Sequence, residues 1–228
     1  MKKVFIAAIA VVILMAAQAK AATVNLIGYY DSRDMESVTL KVYGPLSGKV
    51  GAWGFIDMFT PRGELEDVDN EADFVLYYGE GNISYSITPN WQTALEVNDG
   101  NLAPAVLRPQ ICYWLPVDSQ GFNGRIGIKF NPYRFFLQEK DPDPDPEGQV
   151  VLVWRFNFLE DKIFFEGVAD INWAWENQDN FYPFFTEPQL GVNLSENTSL
   201  LVEYRYNNLN RLIQEPDQGW AFGLEVRF

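Results

Sequence analysis

Aromatic rings and carboxylates alternate in several short stretches of this sequence and could together bind a polar solute. Phe55 stands two residues before Asp57, and Tyr78 stands two residues before Glu80. At a spacing of two, side chains share one face of a β-strand. A flat ring can stack on a sugar or a nucleobase, and a carboxylate accepts hydrogen bonds from hydroxyl or amino groups. Three further candidates for the same polar surface are Trp53, Arg108 and Trp114.

Catalytic chemistry has little support in the residue types present. The sequence contains no histidine and a single cysteine, Cys112. Histidine-based acid–base catalysis, Ser-His-Asp triads and the usual zinc sites of His and Cys are therefore excluded. We expect a protein that is not an enzyme and that carries no cofactor, with Cys112 packed inside a strand.

The charge is strongly acidic, with 17 Lys and Arg against 31 Asp and Glu and a formal net charge of −14 at pH 7. Such a field repels phosphates, so we do not expect nucleic acid as a partner. Much of the acidity lies at residues 64–73 and 141–147. The alternating prolines of the second segment forbid a helix. Each segment is predicted to be a solvated surface loop, and a calcium site is the alternative.

A period-two alternation of apolar and polar residues recurs from residue 24 to the end of the chain. The last ten residues show it most clearly, with Trp220, Phe222 and Leu224 on one face and Glu225 and Arg227 on the other. One face suits lipid and the other suits water. A final strand that ends in an aromatic residue, here Phe228, resembles the signal by which the barrel-assembly machinery recognises outer-membrane barrels.

Strands with one lipid-facing side must close into a barrel, because an open sheet edge in hydrocarbon would leave backbone groups unpaired. We therefore predict an all-β, transmembrane, antiparallel up-and-down barrel in the bacterial outer membrane, surrounded by its lipid. The even strand number puts both termini on the periplasmic side, with short turns beside them and longer loops outside. The twelve predicted strands are 24–31, 37–44, 49–59, 74–87, 91–98, 105–115, 123–136, 149–159, 162–175, 181–194, 198–208 and 218–228.

The N-terminal residues have the order of a secretory signal. Lys2 and Lys3 precede an apolar run over residues 4–17, and Ala19-Lys20-Ala21 follows it. The run is shorter than the roughly 20 residues that a membrane-spanning helix needs. We expect residues 1–21 to be cleaved as a signal peptide, leaving residues 22–228 as the barrel domain.

Charges of both signs fall on the face predicted to line the lumen. Their near balance has two interpretations: ion pairs that plug the interior, or a narrow gap that passes a neutral polar solute. For Trp53 and Trp114, a lumen position and a position in the aromatic girdle at the membrane interface both stay open. The predicted inward charges are Lys41, Arg108, Arg125, Lys129, Arg155, Arg205, Arg227, Asp57, Glu80, Glu96, Glu166, Asp170, Glu187, Glu203 and Glu225.

Two stretches, VGAWGFIDMF at residues 50–59 and FVLYYGEGNISY at residues 74–85, resemble the early strands of the nucleoside-specific channel-forming (Tsx-like) outer-membrane proteins. The resemblance implies a twelve-stranded barrel with a narrow, aromatic-lined lumen. We expect passive, selective diffusion of small polar solutes, with nucleosides as one candidate and with Phe55, Asp57, Tyr78 and Glu80 at the constriction. The alternative is a structural or adhesive barrel with a plugged lumen and acidic surface loops.

Overall fold

The computed structural model describes residues 22–33, 35–61, 76–100, 105–136, 147–174, 184–208 and 217–228. The predicted signal peptide, the acidic segment 64–73, Phe74 and residues 141–146 of the second acidic segment lie outside these ranges, whereas Glu147 begins a strand. No helix among the described residues is long and apolar enough to cross a membrane. The strands in chain order are β1 (Thr23–Asp31), β2 (Met35–Ser47), β3 (Val50–Pro61), β4 (Leu76–Ser86), β5 (Trp91–Gly100), β6 (Val106–Ser119), β7 (Phe122–Asn131), β8 (Phe135–Phe136), β9 (Glu147–Phe158), β10 (Ile163–Ala174), β11 (Phe184–Asn193), β12 (Thr198–Asn207) and β13 (Asp217–Arg227).

Twelve long strands form one closed antiparallel barrel, as predicted. Each long strand pairs with the next one along the chain, and β1 pairs with β13 to complete the circle. The remaining strand, β8, has only two residues and pairs with one end of β6. The start of β1, the end of β13 and the compact turns therefore lie at one end of the barrel, which we call the hairpin end; the opposite end is the far end.

Ten predicted strands have bounds within three residues of those observed, and two differ by more. The strand predicted at 123–136 is divided into β7 and β8, because Pro132 follows β7 and has no N–H group to continue the ladder. The strand predicted at 105–115 continues to Ser119, and the chain then turns at Gln120 and Gly121. Gly121 has a φ of 96°, a left-handed conformation that glycine adopts without steric cost.

Alternation along each strand separates an apolar outer face from a polar inner face. In β13, Phe222 is 53% exposed on the outside, whereas its neighbour Ala221 is fully buried inside. The same outward exposure is found for Leu95, Ile128 and Leu200 on other strands. An outer surface of this kind suits lipid, and closure leaves the sheet no free edge in the membrane.

The seam between β1 and β13 joins residues that are far apart in the sequence. The Asn25 side-chain amide donates a hydrogen bond of 2.6 Å to Glu225, 200 residues further on. The Phe228 amide donates one of 2.9 Å to the carbonyl of Val24. A small apolar cluster on the inner wall lies at and beside this seam; its members are Ile27, Tyr29, Phe164, Leu201 and Ala221.

Glycine allows one aromatic ring of this cluster to lie flat against the inner wall. Gly191 on β11 is paired directly with Phe164 on β10. A Cβ atom at Gly191 would lie 2.1 Å from Cζ of the Phe164 ring, which is closer than any real contact. The bare backbone of Gly191 is therefore the surface on which this buried ring packs.

Candidate functional site

Strand register brings the predicted solute-binding residues together on the inner face. Phe55 pairs with Glu80 and Asp57 pairs with Tyr78 across β3 and β4, and directly paired residues share one face. Trp53 pairs with the buried, inward-facing Asn82. We call Trp53, Phe55, Asp57, Tyr78 and Glu80 the aromatic–acid patch.

The aromatic–acid patch is a continuous surface of rings bordered by carboxylates. The ring centroids of Trp53 and Phe55 are 5.6 Å apart, and those of Phe55 and Tyr78 are 5.8 Å apart. The Tyr78 hydroxyl donates a hydrogen bond of 3.4 Å to Glu80, and Asp57 accepts one from the Thr39 hydroxyl of β2. All five patch side chains are partly exposed, so they can contact a solute in the lumen.

Arg108 is buried in the wall beside the patch and does not belong to its surface. Its guanidinium forms an ion pair of 3.0 Å with Glu96. Gln110 also donates to Glu96, at 3.2 Å, and to Asn131, at 3.0 Å. Asn131 in turn donates to Gln149 of β9 at 2.8 Å. These polar side chains form a belt over β5, β6, β7 and β9 that fixes the inner wall.

Both tryptophans whose position the sequence left open face the lumen. The Trp114 indole donates a hydrogen bond of 2.8 Å to Gln92, and the Arg125 guanidinium lies 4.7 Å from its ring centroid. Trp114 lies toward the hairpin end, apart from the aromatic–acid patch. By contrast, Trp154 faces outward, with its ring 5.9 Å from that of Phe165.

One contact crosses the interior of the barrel. The Lys129 ammonium on β7 lies 5.0 Å from the centroid of the Trp53 ring on β3. These two strands are four pairing steps apart around the sheet, through β4, β5 and β6. A side chain that reaches so far shows that the lumen is narrow beside the aromatic–acid patch.

A second polar cluster lies on the inner faces of β1, β11 and β12, near the far end. Arg205 on β12 forms an ion pair of 3.1 Å with Asp31 and another with Glu203. Its guanidinium lies 4.9 Å from the Tyr29 ring centroid, and the Tyr29 hydroxyl accepts a bond of 2.5 Å from Gln189. Sequence analysis did not single out Tyr29, Asp31 or Gln189, although Tyr29 and Asp31 fall on the inner face of the alternation in β1.

The alternation predicted the orientation of the lumen charges correctly. The register places each of them on the inner face; they are Lys41, Arg108, Arg125, Lys129, Arg155, Arg205, Arg227, Asp57, Glu80, Glu96, Glu166, Asp170, Glu187, Glu203 and Glu225. Many form ion pairs along the wall, such as the 2.6 Å pair between Arg155 and Glu166.

No protein-family model and no curated protein matches this sequence. Several solved structures have a similar fold. A structure titled "KdgM porin" has a TM-score of 0.58 at 10% identity, over 90% of this chain and 99% of that one. The NanC porin structure has a TM-score of 0.53 at 12% sequence identity, over 89% of this chain and 98% of that one. An outer membrane channel from Pseudomonas putida F1 has a TM-score of 0.50 at 10% identity, over 91% of this chain and 94% of that one. The fold and the apolar outer face are those of a bacterial outer-membrane barrel.

Proposed function

We propose that this protein is an outer-membrane channel for passive, selective diffusion of small polar solutes. The proposal depends on one observation: the aromatic–acid patch is partly exposed on the inner wall of a closed barrel, and the Lys129 side chain of β7 reaches across the lumen to its Trp53 ring. Porins of similar fold support it, one of them in complex with oligogalacturonate.

Nucleosides are the candidate solute that the aromatic–acid patch suits by its chemistry. A nucleobase could stack on Phe55 and Tyr78, whose centroids are 5.8 Å apart, and ribose hydroxyls could donate to Asp57 and Glu80. The resemblance of residues 50–59 and 74–85 to the nucleoside-specific channels leads to the same solute class. In this proposal Arg108 holds Glu96 in the wall, and Trp114 contacts the solute nearer the hairpin end.

The first prediction concerns conductance and its block. Purified protein in a planar bilayer should give small current steps that adenosine reduces. Phe55→Ala should weaken this block by roughly tenfold, since one base–aromatic stack contributes about 1–3 kcal/mol. Phe165→Ala on the outer face is the matched control and should leave the block unchanged. Complete absence of conductance would defeat the channel proposal and favour the plugged barrel.

We further propose that the hairpin end faces the periplasm and that Phe228, 75% exposed at that end, is the residue through which the assembly machinery binds the chain.

Export then requires removal of residues 1–21. Mass spectrometry of the outer-membrane protein should give a mature N-terminus at Ala22, and Ala21→Trp should retain the precursor because small residues are needed at the cleavage site. An unprocessed wild-type chain in the outer membrane would refute the signal-peptide assignment.

A further inference from the structure

A shallow apolar groove lies on the outer face of β4 and β5, close to the hairpin end. Its volume is about 330 Å³, and Ile83, Tyr85 and Leu95 are among the side chains that line it. Thr93, which pairs directly with Tyr85, also lines it. Its hydroxyl donates a hydrogen bond of 3.1 Å to the Gln110 carbonyl, so no polar hydrogen of Thr93 is left facing the groove. We call this surface the Tyr85 groove, and an acyl chain of the membrane can fill it.

The Tyr85 groove alone cannot select one lipid from another. Acyl chains are as apolar as the wall, so the hydrocarbon region gives no preference for a particular lipid. Any preference must come from the level of the lipid headgroups, which tyrosine and tryptophan rings mark at a membrane interface. Tyr85 has this position on β4, and Trp91 and Tyr113 have it on the neighbouring strands, with ring centroids 4.9 Å apart.

Lys49 places a cation at the headgroup end of the Tyr85 groove. It is an exposed residue of the β2–β3 turn, and its ammonium lies 5.9 Å from the centroid of the Tyr85 ring. One N–H group donates a hydrogen bond of 3.4 Å to the Ile87 carbonyl, which leaves two of the three donors for a ligand. In the part of the chain that the structure describes, no carboxylate oxygen comes within 4 Å of this ammonium.

The charges in the turns of the hairpin end are unevenly distributed around the barrel. Glu160 and Asp161 lie in the β9–β10 turn, and Glu196 lies in the β11–β12 turn. The β2–β3 and β4–β5 turns contain no acid, and Lys49 is their only charged residue. A protein with a net charge of −14 repels anions in general. The sector around Lys49 is therefore the part of this rim where an anionic headgroup is attracted.

We propose that the Tyr85 groove and Lys49 bind an anionic phospholipid of the surrounding membrane, with an acyl chain in the groove and the phosphate on the Lys49 ammonium. The Tyr85 hydroxyl is a further donor at the headgroup level. With the hairpin end toward the periplasm, the lipid belongs to the periplasmic leaflet. The inference goes beyond the channel function and does not depend on it, since it requires only that the barrel lies in a membrane.

Native mass spectrometry of the detergent-solubilised barrel tests this site. Phosphatidylglycerol should bind about fivefold more tightly than phosphatidylethanolamine with the same acyl chains, the effect of one lysine at an anionic membrane surface. Lys49→Gln should abolish this preference. Lys162→Gln is the matched control, because it removes the same charge from the β9–β10 turn beside Glu160 and Asp161, and it should leave the preference unchanged.

A second variant tests the groove without changing the charge. Thr93→Phe fills the Tyr85 groove and should weaken the binding of phosphatidylglycerol. Excess inorganic phosphate should not displace the lipid, because the acyl chain also holds it. Heat-modifiable gel mobility establishes that each variant is folded.

Four results would overturn the lipid site. They are equal binding of the two lipids by the wild-type barrel, a preference that survives Lys49→Gln, unchanged binding by Thr93→Phe, and displacement of the lipid by inorganic phosphate. A dimer that Thr93→Phe abolishes would instead assign the groove to a second copy of the chain. The absence of conductance in a planar bilayer would overturn the channel proposal and leave this inference standing.

Discussion

Replacing Arg205 with methionine is expected to lower the free energy of unfolding by about 3–5 kcal/mol, because it leaves buried carboxylates without their cation. Asp31 is fully buried and Glu203 nearly so, and Arg205 contacts both. Arg33 would still hold Asp31 at 2.7 Å, so Glu203 carries most of the uncompensated charge. Urea unfolding of the barrel in lipid vesicles, followed by tryptophan fluorescence, measures the loss.

Two further variants show whether charge is the cause. Arg125→Met removes an exposed arginine that lies over Trp114, and it should cost less than about 1 kcal/mol. The double variant Arg205→Met, Glu203→Gln should recover part of the stability, since both members of the pair become neutral. If the double variant is less stable than Arg205→Met alone, the loss has another origin, such as packing against Tyr29.

The second large effect is expected on the outer face. Phe222→Arg should destabilise the barrel by about 2–4 kcal/mol, the range for a cation at the bilayer midplane. Phe222 is exposed near the middle of β13 and pairs with Val202 and Tyr30 of the neighbouring strands. The same unfolding measurement in vesicles applies.

Leu194→Arg is the matched control for this substitution. Leu194 is also exposed, but it lies in the turn between β11 and β12, where water can solvate the guanidinium. Its effect should be within about 1 kcal/mol. Equal destabilisation by the two substitutions would mean that the apolar face of β13 is not in contact with lipid.

The fold could be predicted almost completely from the sequence, because side chains of a strand alternate between two faces. Lipid outside and water inside require apolar residues on one face and polar residues on the other, so the alternation can be recognised in the sequence. Trp220 and Phe222 face outward and Glu225 faces inward, as the pattern in β13 requires. The prediction of a single strand at 123–136 was wrong only locally. Pro132 interrupts the strand there, although the residue types on both sides of it are typical of a strand.

The partners of the lumen side chains could not be predicted in the same way. The alternation specifies on which face of the sheet a side chain lies. A long side chain on that face can contact a residue several strands away, and the alternation does not specify which one. Arg33 lies in the β1–β2 turn and binds Asp217, 184 residues away, at 2.7 Å. Lys129 reaches Trp53 four strands away. The buried Asn98 oxygen that accepts no hydrogen bond becomes visible only when these contacts are known.

The pairing of β1 with β13 means that the barrel can close only after both strands have been made. β1 pairs with β2 on one side and with β13 on the other, and β13 is the last described strand along the chain, so one edge of β1 has no partner until β13 has been made. Unpaired edges recruit other chains into aggregates, and closure over such a separation is slow. A barrel that has not closed therefore exposes the edge of β1 to other chains, and a chain without β13 should aggregate more readily than the full barrel.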